Sequence, residues 1–209
     1  ECLHNGLKIR EEMRETSAVS KSLVSIGSIY FTQKNYEKAL EYNQKVIEIA
    51  GNAGDKHTLA GGLLNIGLIY MQTNNEQAME YLQKALVISK DLKILPLQIN
   101  ILLNTGLFYY KHSEKQKALE FYQEALSLSE ENGMKSSESL AKLQIAIIYY
   151  DQKEFSRALD YARSSLEIAK NLKIIETEKD SHNLLAEIYA KTNNFKGAYI
   201  HNQLYKELS

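Results

Sequence analysis

Residues able to transfer protons, attack carbonyls or hold metals are few and scattered in this chain of 209 residues. Its five histidines are His4, His57, His112, His182 and His201, and they fall at unrelated places with no HExxH helix or glycine-rich phosphate loop beside them. All five are expected on solvated surface. Cys2 has no His and Asp constellation around it, so nothing marks it as a nucleophile, and a lone cysteine rules out an internal disulfide. No catalytic residue, cofactor or metal is expected. Side-chain amides are the more informative polar groups. Asn65, Asn100 and Asn104 are candidate polar anchors for a peptide backbone, because a carboxamide both donates and accepts; helix surface or capping is the alternative use.

The elements that position such residues follow from composition. Hydrophobic residues make up 44% of the chain and charged residues 24%, enough apolar material for an extensive core. The 25 basic and 26 acidic side chains leave a net charge of -1, which gives no long-range attraction to nucleic acid or to an anionic membrane. Charged runs such as Tyr36-Glu37-Lys38 and Glu114-Lys115-Gln116-Lys117 are expected on solvated outer faces. A single proline, Pro96, points to long uninterrupted helices. The chain starts with Glu and has no apolar run approaching 18 residues, so no signal peptide or membrane span is expected within it. These features assign no compartment.

Internal repetition organises the whole chain. LVSIGSIYFTQKNYEKALEYNQKVIEIA from Leu23, LLNIGLIYMQTNNEQAMEYLQKALVIS from Leu63 and the stretch around Leu102 and Leu103 align almost throughout, and two further copies follow near Leu143 and Leu184. Ala39, Ala78, Ala118, Ala158 and Ala198 lie 39 and then 40, 40 and 40 residues apart. Each copy holds two stretches with apolar residues at three- and four-residue spacing, separated by a short polar turn, which predicts an amphipathic helical hairpin. The pattern resembles the tetratricopeptide repeat, in a lengthened form of about 40 residues. In that family a small residue on the first helix packs against the second. The resemblance assigns that role to Gly27, Gly67, Gly106, Ala146 and Ala186, each followed three residues later by Tyr30, Tyr70, Tyr109, Tyr149 or Tyr189. Val46, Ala85, Ala125, Ser165 and Tyr205 are the matching second-helix positions, and Tyr205 departs from the pattern as a terminal repeat would.

The expected fold is all-α, a right-handed α-α superhelix of about eleven antiparallel helices. It is expected to form a single solenoid over 1–209 with no internal domain boundary. Repeats fall at about 18–56, 57–95, 96–135, 136–175 and 176–209, preceded by an orphan second helix over 1–14 that suggests a fragment of a longer protein or a processed start with an unmatched capping helix. Asn35 and Asn194 suit N-cap positions, and Ser113 with Gln116 has capping-box spacing. Gly51, Gly54, the stretch 91–95, Asn132 and Gly133 mark the turns between repeats, and Pro96 falls at a helix start where its missing N–H costs nothing.

Once core positions are set aside, the first helices present an inner stripe. It comprises Val24, Ser28 and Phe31; Leu64, Leu68 and Met71; Leu103, Leu107 and Tyr110; Leu143, Ile147 and Tyr150; and finally Asn183, Glu187 and Ala190. The middle of this stripe is apolar and its C-terminal end polar. Family members that clamp a terminal carboxylate carry lysine, asparagine and arginine there, so a clamp of that kind is not expected. An apolar concave groove favours a protein or peptide partner, such as an amphipathic helix. In a tight superhelix the same residues would instead pack on neighbouring helices. The chain is thus expected to be a non-enzymatic scaffold or adaptor. The closing segment FKGAYIHNQLYKELS also resembles the last repeat of bacterial sensor kinases or helix-turn-helix regulators, which implies a ligand- or peptide-sensing region as the alternative.

Overall fold

The computed structural model describes residues 16–73 and 75–209. The expected orphan helix over 1–14, with Cys2 and His4, lies outside the described residues. Those described form ten α-helices and no strand: α1 (Thr16–Thr32), α2 (Tyr36–Ala53), α3 (Lys56–Gln72), α4 (Ala78–Asp91), α5 (Leu95–Lys111), α6 (Lys115–Glu131), α7 (Lys135–Asp151), α8 (Phe155–Leu172), α9 (Ile175–Lys191) and α10 (Phe195–Glu207). The chain divides into two compact units, Glu1–Asn104 and Thr105–Ser209, and the division falls within α5. In the first, α1 pairs with α2 and α3 with α4, while α3 also packs on α2 and touches α1. In the second, α7 pairs with α8 and α9 with α10; α6 packs on α7, and α9 packs on α8 and touches α7.

Close approach within each hairpin depends on the small first-helix residues. A methyl added at Gly27 would come 2.7 Å from the Asn43 amide nitrogen, one at Gly67 2.9 Å from Leu82, and one at Gly106 2.5 Å from the Tyr122 ring. Those separations are shorter than van der Waals contact, so glycine is needed where the facing side chain is large. The fourth repeat has Ala146 at the glycine position and Ala162 at the facing one, and both are fully buried. Around this seam the registering alanines Ala39, Ala78, Ala118 and Ala158, with Val46, Ala85, Ala125 and Ser165, are likewise buried.

A second periodic contact lies near the connecting turn of each hairpin. Tyr30 stacks on Tyr42 at 5.5 Å, Tyr109 on Phe121 at 5.4 Å and Tyr149 on Tyr161 at 5.6 Å, while Tyr70 tilts against Tyr81 at 5.4 Å. Each pair adds aromatic attraction to the area it buries. Lys38, Lys117 and Arg157 sit over Tyr30, Tyr109 and Tyr149 as cations on the ring faces. The fifth repeat places His201 where the others have Tyr or Phe, its ring centroid 5.4 Å from that of Tyr189.

Turn chemistry is equally periodic. Lys34, Ser113, Lys153 and Asn193 have φ between 58° and 64° just after a first helix, and Gly54, Lys93, Gly133 and Lys173 have φ between 53° and 69° after a second helix. These left-handed residues let the following N–H groups close onto the last carbonyls of the helix. Asn35 and Asn194 cap α2 and α10 by accepting from the Lys38 and Gly197 N–H groups. Asp55 caps α3 in the same way through Thr58. The capping-box expectation for Ser113 does not hold. Ser113 occupies the left-handed position at φ 64°, and Glu114 stands at the cap without a side-chain bond. Pro96 lies in the first turn of α5, where no intrahelical partner for its missing N–H is required.

Candidate functional site

In the first unit, α1, α3 and α5 enclose a cleft of about 770 Å³. Val24 and Leu64 supply apolar wall, with Leu97 and Pro96 from α5; Gly61 leaves open space where a side chain would stand. Asn65 and Asn100 both line this cleft, as do Lys21 and His57. A smaller pocket of about 230 Å³ adjoins the same α3 residue, lined by Ser28, Phe31, Asn43, Asn65 and Leu68. Half-buried Phe31 and Leu68 give it apolar surface, whereas Leu64 and Met71 are nearly enclosed.

Hydrogen bonding fixes which face each amide offers. Buried Asn43 donates to the Ala39 carbonyl at 2.8 Å, so its Oδ1 is left to accept from Asn65 Nδ2 at 3.0 Å. Asn65 therefore keeps its Oδ1 as an acceptor for the cleft. Asn104 donates to both the Asn100 carbonyl, at 2.9 Å, and Asn100 Oδ1, at 2.7 Å. Asn100 consequently keeps its Nδ2 as a donor. One acceptor and one donor on a single cleft match the N–H and C=O of an extended backbone. Asn104 itself is committed to its own helix.

In the second unit the inner positions are more polar than their residue types suggest. Tyr110 donates to Asp151 Oδ2 at 2.9 Å, and the Lys115 ammonium meets the same oxygen at 2.9 Å. Burial, and then the adjacent Asp151 carboxylate, push the Tyr110 hydroxyl up to about 12, so it stays a proton donor. Burial and the Glu187 carboxylate also push Tyr150 up. Ile147 and Leu107 are half-buried and offer apolar surface. Leu143 does not; at 1% exposure its side chain belongs to the core, and Leu103 is also buried. Asn183, Glu187 and Ala190 are exposed, and Asn183 reaches Glu187 at 3.4 Å.

Four residues of this chemistry were not singled out by repeat position alone. Asn43 stands where the aligned repeats have Leu82, Tyr122 and Ala162, and that polar exception was its only signal. Tyr122 makes the equivalent reach in the second unit, donating to Gln144 at 3.4 Å. Histidine 182 and His201 are not on solvated surface as expected. His182 is 2% exposed, His201 is half-buried, and their Nδ1 atoms meet at 2.8 Å. His57 and His112 are exposed. Among the described residues no group of three or more His, Cys, Asp or Glu converges as a metal site would. No helix among them is long and apolar enough to cross a membrane.

Comparison with known proteins bears on the fold. No curated protein matches the chain in sequence. Among solved structures, BtubC (BKLC) from P. vanneervenii is similar at a TM-score of 0.84 and 15% identity, covering 99% of this chain and 88% of that one. A signal-transduction ATPase with a tetratricopeptide repeat sensor from Pyrococcus horikoshii is similar at 0.77 and 21% identity, covering 88% of this chain. A Rap protein complexed with Competence and Sporulation Factor follows at 0.78 and 16%, covering 90%. This chain spans only 29% of that ATPase and 53% of that Rap protein. Two tetratricopeptide repeat family profiles match residues 18–91 and 141–172, about half of the chain together. With its hairpins, small-residue seam and these matches, the chain belongs to the tetratricopeptide repeat family.

Proposed function

We propose that the chain is a peptide- or protein-binding module without catalytic activity of its own, and that the cleft of α1, α3 and α5 takes an extended peptide segment. The carrying observation is the fixed polarity of Asn65 and Asn100, an acceptor and a donor set on one apolar-walled cleft. Val24, Leu64 and Leu97 would bury apolar side chains of the segment, at about 25 cal/mol per Å² before ordering costs. Lys21 and His57 bring basic chemistry to the cleft lining, which favours an acidic side chain nearby. In the second unit Leu107, Tyr110, Ile147 and Tyr150 offer further surface, with the Tyr110 hydroxyl already engaged by Asp151. A Rap protein of similar fold, complexed with Competence and Sporulation Factor, supports such a use.

Selection from a displayed library of random nonapeptides tests this reading. Enriched peptides are expected to combine apolar and acidic residues. Asn65→Ala and Asn100→Ala should each weaken a selected peptide about tenfold, the worth of one hydrogen bond at a desolvated site, while leaving the melting temperature within a few degrees. Affinity unchanged from the parent chain in both variants, or selection of no peptide, would sink it. A ligand- or peptide-sensing region of a larger signalling protein is the second reading. The likeness to an ATPase carrying a tetratricopeptide repeat sensor favours it, and a kinase, ATPase or regulator domain elsewhere in the full-length gene product would support it.

A further inference from the structure

We propose that His182 and His201 form an acid-sensitive latch that holds α10 on α9 and releases it when the pair takes up a second proton. The two Nδ1 atoms lie 2.8 Å apart, close enough only for one nitrogen to donate and the other to accept. With a proton on each, two N–H donors would face each other across that distance and the contact would break. The separation is also too short to hold a metal between the rings, since nitrogen ligands each stand about 2.0 Å from such an ion at a tetrahedral angle.

Repeat alignment sets the pair against two positions that are apolar or aromatic in the first three repeats, while the fourth carries Lys142 at the first of them. His182 occupies the place of buried Leu23, Leu63 and Leu102, and His201 that of Tyr42, Tyr81, Phe121 and Tyr161. Two positions that are permanently apolar or aromatic in the first three repeats are both titratable in the last. They also meet on the least anchored helix. α10 contains no fully buried residue, and Phe195 and Tyr199 stand 70% and 66% exposed. Its other contacts with α9 come from half-buried residues such as Ala198, Leu204 and Tyr205, with Lys179 over the Tyr205 ring.

Every element packed on the pair adds to its electrostatics. From α8 come Lys170, which acts on both rings, and Arg163, which acts on His201 and donates to the Tyr189 hydroxyl. From α9 come Tyr189, whose ring lies on His201, and Glu178, whose Oε1 is 4.0 Å from His182 Nε2 and favours the charged form. α7 reaches α9 through the uncharged hydroxyls of Ser139, Ser165 on α8 and Ser181. Burial first, and then these cations, hold both imidazoles below their ordinary value; for His201 the His182 charge adds to the effect. The released helix therefore binds protons more readily than the docked one. Docking is at full strength above the ordinary imidazole range near about 6.5 and weakens as pH falls from there through the lowered values of the docked pair.

Amide hydrogen exchange on the full chain between pH 7.5 and 5.0, corrected for intrinsic rates, tests the latch. α10 should lose protection at the lower pH while α7 keeps it. His201→Tyr, which restores the residue of the first, second and fourth repeats, should leave α10 equally protected at both pH values, and His182→Leu should do the same. Protection of α10 that does not change with pH in the parent chain would overturn the proposal. So would an undiminished acid-dependent loss in the variants that remain docked at pH 7.5. If one variant fails to dock at pH 7.5 the other decides, and if neither docks the imidazole proton signals of the parent chain do, because the latch requires both to titrate together with the loss of α10 protection.

Discussion

At Gly106 one hydrogen atom separates a fitted seam from a clash, because an added methyl would sit 2.5 Å from the Tyr122 ring. Tyr122 is itself fully buried and cannot swing away without losing its contacts and its bond to Gln144. Gly106→Ala is expected to cost about 1–3 kcal/mol through overpacking. Tyr122→Ala should cost about 3–5 kcal/mol through the cavity it leaves. Their combination should be cheaper than the two separately, because it recreates the Ala146 and Ala162 arrangement of the fourth repeat. Urea unfolding of the three variants measures the coupling; strict additivity would show that the seam is not the source of the cost. The small residues could be found in the sequence by their period, but not the size of what faces them, since that depends on how deeply each second helix settles. Asn43 shows the same limit. Its polarity could be noted, but not that it would turn Asn65 so that its Oδ1 is left for the cleft.

Helix ends carry the next level of specification. Periodicity located every helix among the described residues, and Asn35 and Asn194 announced their caps by type and position. Ser113 misled because a serine three residues before a glutamine satisfies the capping pattern equally well one residue too early. The backbone instead requires a left-handed residue there, a demand shared with Lys34, Lys153 and Asn193. No single side chain signals that demand, so it becomes visible only when the turns are superposed. It has a measurable consequence. Lys153 at φ 63° bears the penalty that glycine escapes, so Lys153→Gly should stabilise by up to about 1 kcal/mol, the steric gain being partly offset by unfolded-chain entropy. Gly133→Ala, at φ 66° with open space around the added methyl, should destabilise by about 1 kcal/mol. Thermal unfolding of the two variants compares them directly. Opposite signs are required; a neutral Gly133→Ala would show that the turn relaxes to another conformation.

Across the whole molecule the question is whether stability is shared by all repeats. The two compact units divide within α5, a single helix in which Ile99, Ile101 and Leu102 are buried before the division and Gly106 fits against Tyr122 after it. Melting either unit would leave half of that helix without its packing face, and short isolated helices are marginal in water. Nearest-neighbour coupling should therefore run through α5, and the chain is expected to unfold as one array. Ile66 and Ile145 offer matched probes, since both are fully buried and each lies one residue before the small residue of its repeat. Ile66→Ala and Ile145→Ala should each cost about 2–5 kcal/mol and lower the midpoint of the same urea transition by similar amounts. Circular dichroism would follow the loss of helix, and amide exchange would report α3 and α7 separately. Two resolved transitions, with Ile66→Ala shifting only one and Ile145→Ala only the other, would make α5 a joint between independently stable units. A single transition sensitive to both substitutions would make it the element through which each half supports the other.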